Sequence, residues 1–189
     1  MDADQIISRA WRELPDSDRT LLEAIRAEQW EVCTGPLGEQ ADALHRSADL
    51  EPLSDVEIQR TNDAIAIWIP QLRVVLFNAR HEGLQGLDRT SYRWALRRVA
   101  WHEWGHALSL DRASPEDVAR GPRYLDLAPT RLANFVRSSG YRRQEYTHEI
   151  VAEIYSMLMT RRRLGQTEQP DWLHNEIYEL VRRVVGWNQ

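Results

Sequence analysis

The residues with the most chemical content are His102, Glu103 and His106, which stand as His-Glu-x-x-His inside Val99–Leu108. On a helix of ~3.6 residues per turn, positions four apart share a face, so both imidazoles would point the same way. Their Cβ atoms would lie ~5–6 Å apart, close enough for the rings to converge on one ion. Zinc suits that pair: it takes imidazole nitrogen at ~2.0–2.1 Å and, in catalytic sites, three protein ligands plus a water. Glu103 lies ~100° further round, off the ligand face and beside such a water, where a carboxylate can act as a general base. Three fixed positions in five arise by chance in roughly one chain of this size in a few hundred, so an incidental pair of histidines is the weaker explanation.

A catalytic zinc needs a third protein ligand. A further histidine six positions after His106 would supply it, but Arg112 stands there. Asp111 is one position off the aspartate form of that pattern, and Ser109 replaces the expected glycine. Downstream, Glu145, His148, Glu149 and Glu153 lie on a second helical stretch. Glu149 and Glu153 are four apart and share a face, as do Glu145 and Glu149. Ile150, Ile154, Met157 and Leu158 flank the Glu149/Glu153 face and turn it toward a packed interior. Buried carboxylates are costly unless paired or bound to metal.

The elements that must position these residues can be read from periodicity and punctuation. Residues 3–13 form an amphipathic helix, Pro15–Asp18 restarts the chain with Asp16 or Ser17 as N-cap, and the stripe continues to about Gln29. Residues 30–34 alternate as a short strand, followed by helices near 39–47 and 54–62, the second opened by Ser54-Asp55. Ile65, Ile67 and Ile69 alternate in one strand and Leu72–Phe77 is a second, with Pro70-Gln71 as the turn. Arg80–Asp88 is a loop, and Asp88, Thr90 or Ser91 caps the motif helix, which runs to about Leu110.

Arg97 and Arg98 face away from the histidines and read as a solvated face, while Trp94, Trp101 and Trp104 read as packing residues. Ser114-Pro115-Glu116-Asp117 starts a helix that Gly121-Pro122 ends. Another helix runs from Pro129-Thr130 to Ser138, and a long one covers about Glu145–Leu164. Arg161–Arg163 and Gly165 are ordinary helix termination. Asp171 caps a last helix with Trp172, Leu173, Ile177, Leu180, Val181 and Val184 on its apolar stripe.

His102-Glu103-Trp104-Gly105-His106-Ala107, then Tyr141, then Glu149-Ile150-Val151-Ala152-Glu153, resembles the anthrax-toxin lethal-factor-like zinc metallopeptidases over about residues 64–164. The resemblance implies a zincin-like α+β fold, mostly helical, with a small sheet beside the active-site helix. It implies Zn2+ on His102, His106 and Glu149, with Glu103 as general base and Glu153 supporting from outside the ligand set. It also implies that the Tyr141 hydroxyl stabilises the oxyanion. Tyr141 precedes Glu149 by eight residues where the family spacing is seven, which leaves Tyr146 as a competitor. By analogy with zincins, the strand Leu72–Phe77 or its partner Ile65–Ile69 would line the cleft and pair with an extended substrate.

Composition bounds the rest. The 189 residues read as one domain, 1–189, with a helical N-terminal part (1–63) and a catalytic core (64–189). A net charge of −5 argues against a nucleic-acid partner. No apolar run is long enough to span a bilayer. The first residues lack a signal peptide's basic and apolar regions, so the expectation is a cytoplasmic chain or one delivered by another route. The single cysteine, Cys33, excludes an internal disulfide framework and reads as a filler of a small apolar gap. All 24 basic residues are arginine, from codon bias or from selection against ubiquitination.

The function these features point to is a zinc-dependent endopeptidase, of toxin or effector type, with a protein or peptide substrate. The rival classes are a cytoplasmic regulatory peptidase cleaving one partner and a catalytically inactive zincin-fold binding protein. The first would carry a DNA-binding segment, which residues 1–60 do not show. The second has no reason to keep the complete motif.

Overall fold

The computed structural model describes residues 2–187 as an α+β fold in which helices predominate and three strands make one small mixed sheet. In chain order the elements are α1 (Ala3–Arg12), α2 (Asp16–Ala24), β1 (Gln29–Cys33), α3 (Leu37–Ser47), α4 (Asp55–Asn62), β2 (Ala66–Ile69) and β3 (Val74–Asn78). There follow α5 (Arg89–Arg112), α6 (Pro115–Ala119), α7 (Gly121–Leu127), α8 (Thr130–Ser138), α9 (Tyr146–Arg163) and α10 (Asn175–Val185).

The sheet order is β1-β3-β2, with β1 parallel and β2 antiparallel to β3. β1 therefore reaches β3 by a crossover through α3, α4 and β2, which ties residues 1–63 into the same sheet as the motif half. Period-2 alternation gives the sheet two apolar faces. Trp30, Val32, Ala66, Trp68, Val75 and Phe77 face the main core, where Trp11 meets Trp104 edge-on with ring centroids 5.1 Å apart. Ile67, Ile69, Val74 and Leu76 pack on the other side with Leu37 and Ala41 of α3. Cys33 is half-buried beside this second cluster.

Asp88 starts α5 as N-cap, accepting hydrogen bonds from the backbone N–H groups of Thr90 (2.7 Å) and Ser91 (3.1 Å). The helix then runs unbroken past the histidine motif, with Trp101 and Trp104 fully buried as packing residues. Trp101 donates from Nε1 to the Ala10 carbonyl at 3.2 Å, which fixes α5 against α1. Ser114 and Asp117 form a reciprocal capping box at α6. Gly165, at φ +78°, ends the long helix as its C′ residue.

Several expectations need correction. Arg97 does not lie on a solvated face: it is 6% exposed and pairs with Glu13 of the α1–α2 turn. Arg98 turns toward the cleft and binds Glu153. The helix started by Ser114 does end before Gly121-Pro122, but those two residues also open a new helix, α7, because proline fits a first helical turn and needs no donor there. The N-cap of α2 is Pro15, so Asp16 and Ser17 already belong to the helix. The last helix is capped by His174, which accepts from Glu176 N–H, and not by Asp171. Trp172 consequently lies outside that helix and is largely exposed.

Candidate metal centre

The site is made by two antiparallel helices. Contacts along them run Arg98–Glu153, His102–Glu153, His106–Glu149 and Ser109–His148, rising along α5 as they fall along α9. Gly105 allows the approach. A Cβ there would come 2.8 Å from the Ala152 Cα and 3.2 Å from the Tyr155 ring, closer than side chains tolerate. Glycine therefore sits within the histidine motif because the partner helix passes directly over it.

At that crossing the His102 and His106 Nε2 atoms are 3.0 Å apart. The Glu149 carboxylate completes a triangle, 3.6 Å from His102 Nε2 through Oε1 and 3.3 Å from His106 Nε2 through Oε2. Tetrahedral zinc with ligands at ~2.0–2.1 Å needs donors separated by about 3.3 Å, so the spacing fits. Both Glu149 oxygens are buried, in a residue only 1% exposed, and make no hydrogen bond among the described residues, with the two imidazoles facing them as ion-pair partners. Two imidazole nitrogens and a buried carboxylate together make a donor set that suits a divalent cation. Burial by itself would push the Glu149 carboxyl up, but His106 and His102 more than offset it and bring its pKa down to about 2.

Glu153 stands one turn outside the triangle. Its Oε2 lies 3.2 Å from His102 Nδ1, the nitrogen turned away from His106, and its other oxygen takes Arg98. Such a carboxylate fixes the ring's tautomer and orientation. Burial disfavours charge on His102, but Glu153, Glu149 and Glu103 outweigh it and raise its pKa to about 9. For Glu153 burial is again the largest influence and raises the pKa. His102 and Arg98 overcome it, and the net shift is downward.

Glu103 is 6% exposed and lines the same cleft without joining the donor triangle. The cleft has a volume of about 760 Å³ and is walled by α5 on one side and by the Ala64–Trp68 stretch on the other. Of the two candidate strands, it is therefore β2 that lines it. The Ile65 carbonyl accepts from Asn78 N–H at 2.8 Å, so ladder alternation turns the backbone groups of Ala66 and Trp68 to the free edge.

Tyr141 also lines the cleft, whereas Tyr146 packs against the main core beside Gly121. Burial and then the Glu149 charge push the Tyr141 phenol well above its usual pKa, so it remains a hydrogen-bond donor. His148 points elsewhere: its Nδ1 meets the buried Ser109 hydroxyl at 2.9 Å. Glu145 faces back to cap the turn before α9, accepting from Arg142 N–H.

Reasoning from sequence did not find four cleft residues. His81, Arg98, Phe135 and Arg60 all line it. None belongs to a motif; His81, Phe135 and Arg60 arrive from elements whose place depends on the tertiary fold, whereas Arg98 lies on α5 four residues before His102 and shares its face. No helix among the described residues is long and apolar enough to cross a membrane. Comparison with protein-family models, curated proteins and solved structures gives no match for this chain.

Proposed function

We propose that this chain is a zinc metallopeptidase with a zincin-like fold, akin to the lethal-factor-like enzymes, that hydrolyses peptide bonds in a protein or peptide substrate. The observation that carries the proposal is the buried Glu149 carboxylate facing two imidazole nitrogens in the wall of a cleft, with Glu103 beside them. His102, His106 and Glu149 would hold the ion, and Glu153 would keep the His102 ring oriented. Zinc held there would supply Lewis acidity and would acidify a water in the cleft, whose pKa falls from 15.7 toward ~7 on such an ion.

Glu103 takes a proton from the attacking water and returns it to the leaving amine. The Tyr141 hydroxyl donates a hydrogen bond to the carbonyl oxygen as negative charge develops there. The free edge of β2 offers the N–H and C=O groups of Ala66 and Trp68 to an extended substrate backbone, with affinity from main-chain hydrogen bonds. Side-chain selection then falls to the cleft walls.

Cleavage-site profiling of the zinc-loaded chain on a peptide library, with Glu103→Gln alongside, tests the reading. Glu103→Gln keeps volume and hydrogen bonding but loses the base. It should retain zinc while turnover drops at least ~10²-fold. A zinc-loaded wild type that cleaves nothing, or a Glu103→Gln variant as active as wild type, refutes it.

A further inference from the structure

Helix α4 contributes no buried residue to the fold, yet Arg60, Thr61 and Asp63 at its end line the cleft. It packs along α3 and comes closest at Gly38. A Cβ at Gly38 would lie 2.2 Å from the Ile58 carbonyl oxygen, and Gly38 N–H donates to Asn62 Oδ1 at 2.7 Å. From there Arg60 reaches across and lays its guanidinium 5.1 Å from the centre of the Tyr141 ring. Arg60 makes no ion pair with any carboxylate among the described residues.

Tyr141 needs such support. It follows Gly140, which sits at φ +72°, in the connection between α8 and the turn before α9. Its own backbone N–H makes no hydrogen bond among the described residues, so its place depends on side-chain contacts. Phe135 packs edge-on to the ring at 6.4 Å and 64°, and the Arg60 cation covers a face. A cation over an aromatic face is attracted by the ring's quadrupole, here with exposed Arg60 over half-buried Tyr141.

We infer that Arg60 is a positioning residue that acts through Tyr141, its guanidinium stacking on the ring across the cleft so that α4 holds the hydroxyl over the reacting carbonyl. The inference rests on the peptidase reading for its catalytic consequence. The tie itself is a property of the metal-free chain and can be measured there. It also gives α4 a purpose that its lack of buried side chains leaves open.

The experiment uses the full chain in four forms: wild type, Arg60→Met, Arg60→Lys and Tyr141→Phe, plus the Arg60→Met/Tyr141→Phe double variant. Arg60→Met keeps the apolar stem and removes the cation, and Arg60→Lys restores a cation without the planar fork. On an internally quenched peptide from the library, Arg60→Met should lower kcat roughly 3- to 10-fold with KM changed less than about twofold. Arg60→Lys should recover part of that loss. The double variant should be no slower than Tyr141→Phe alone. Hydrogen exchange on the metal-free proteins supplies the second readout, with faster exchange at the hydrogen-bonded amides of Ser139 and Arg142 in Arg60→Met than in wild type. Equal loss from Arg60→Met in both backgrounds, or unchanged exchange at those two amides, overturns the inference. A wild type that cleaves no peptide, with the exchange difference present, sinks the peptidase reading and leaves the Arg60–Tyr141 tie standing.

Discussion

In metal-free protein, His102 and Glu149 must compensate each other's burial, and the consequence is a measurable pH dependence. The folded-state pKa of His102 stands at about 9, above the ~6.5 of an unfolded histidine. Its stabilising contribution is therefore complete below pH ~6.5 and is lost as pH rises through about 9. The urea midpoint of the metal-free chain should fall across that window. His102→Asn should flatten the fall, and a midpoint flat or rising in wild type would contradict the pairing. Zinc has to displace the same proton, so its affinity should climb as pH rises. Tyr141 gives the second test among single residues. If Tyr141 donates to the oxyanion as proposed, Tyr141→Phe should lower kcat by roughly 10²-fold, while Tyr146→Phe should leave it near wild type. Loss of activity in Tyr146→Phe alone would move the role to the core tyrosine.

Among the elements, the α5–α9 crossing matters most, because it sets the distance between the imidazoles and Glu149. Gly105→Ala places a methyl against the Ala152 backbone and the Tyr155 ring. Overpacking of this kind costs about 1–3 kcal/mol. The variant should unfold at lower urea and bind zinc more weakly, because relief of the clash moves α9 away from α5. Normal zinc affinity in a destabilised variant would separate packing from the site. Local chemistry made much of these elements legible in advance. A cap among Asp88, Thr90 and Ser91, the helix start at Ser114 and the alternation of Ile65, Ile67 and Ile69 each depend on residues within one turn or one strand. The cap of the last helix is misplaced from sequence because Asp171 is the stronger N-cap type, yet the chain still turns over residues 171–173 and the helix begins only after His174.

At the scale of the whole molecule, what sequence could not supply is pairing between distant segments. Arg97 looks exposed on its own helix but is buried against Glu13, which arrives from the turn after the first helix. β1 is visible as a strand, but its parallel place beside β3 is a matter of topology. The Asp18 carboxylate, fully buried, accepts from the Tyr155 hydroxyl at 2.7 Å and from Trp187 Nε1 at 2.8 Å, joining both ends of the described chain to the long helix. The donor set could be narrowed because its members share two short helical patterns. Arg60 could not be anticipated, since its relation to Tyr141 exists only once α4 is docked.

Because the donor triangle bridges two helices of the core, zinc should stabilise the entire fold. The most direct measurement is the unfolding free energy against free zinc for wild type, Glu149→Ala and Glu153→Ala. Wild type should gain about 2.7 kcal/mol when free zinc reaches a hundred times its Kd. Glu149→Ala, lacking a ligand, should lose nearly all of that gain at the same zinc concentration. Glu153→Ala loses only the support of His102 and should show an affinity lower by about 10–100-fold. No gain in wild type, or a larger loss in Glu153→Ala than in Glu149→Ala, would contradict a metal centre built on His102, His106 and Glu149.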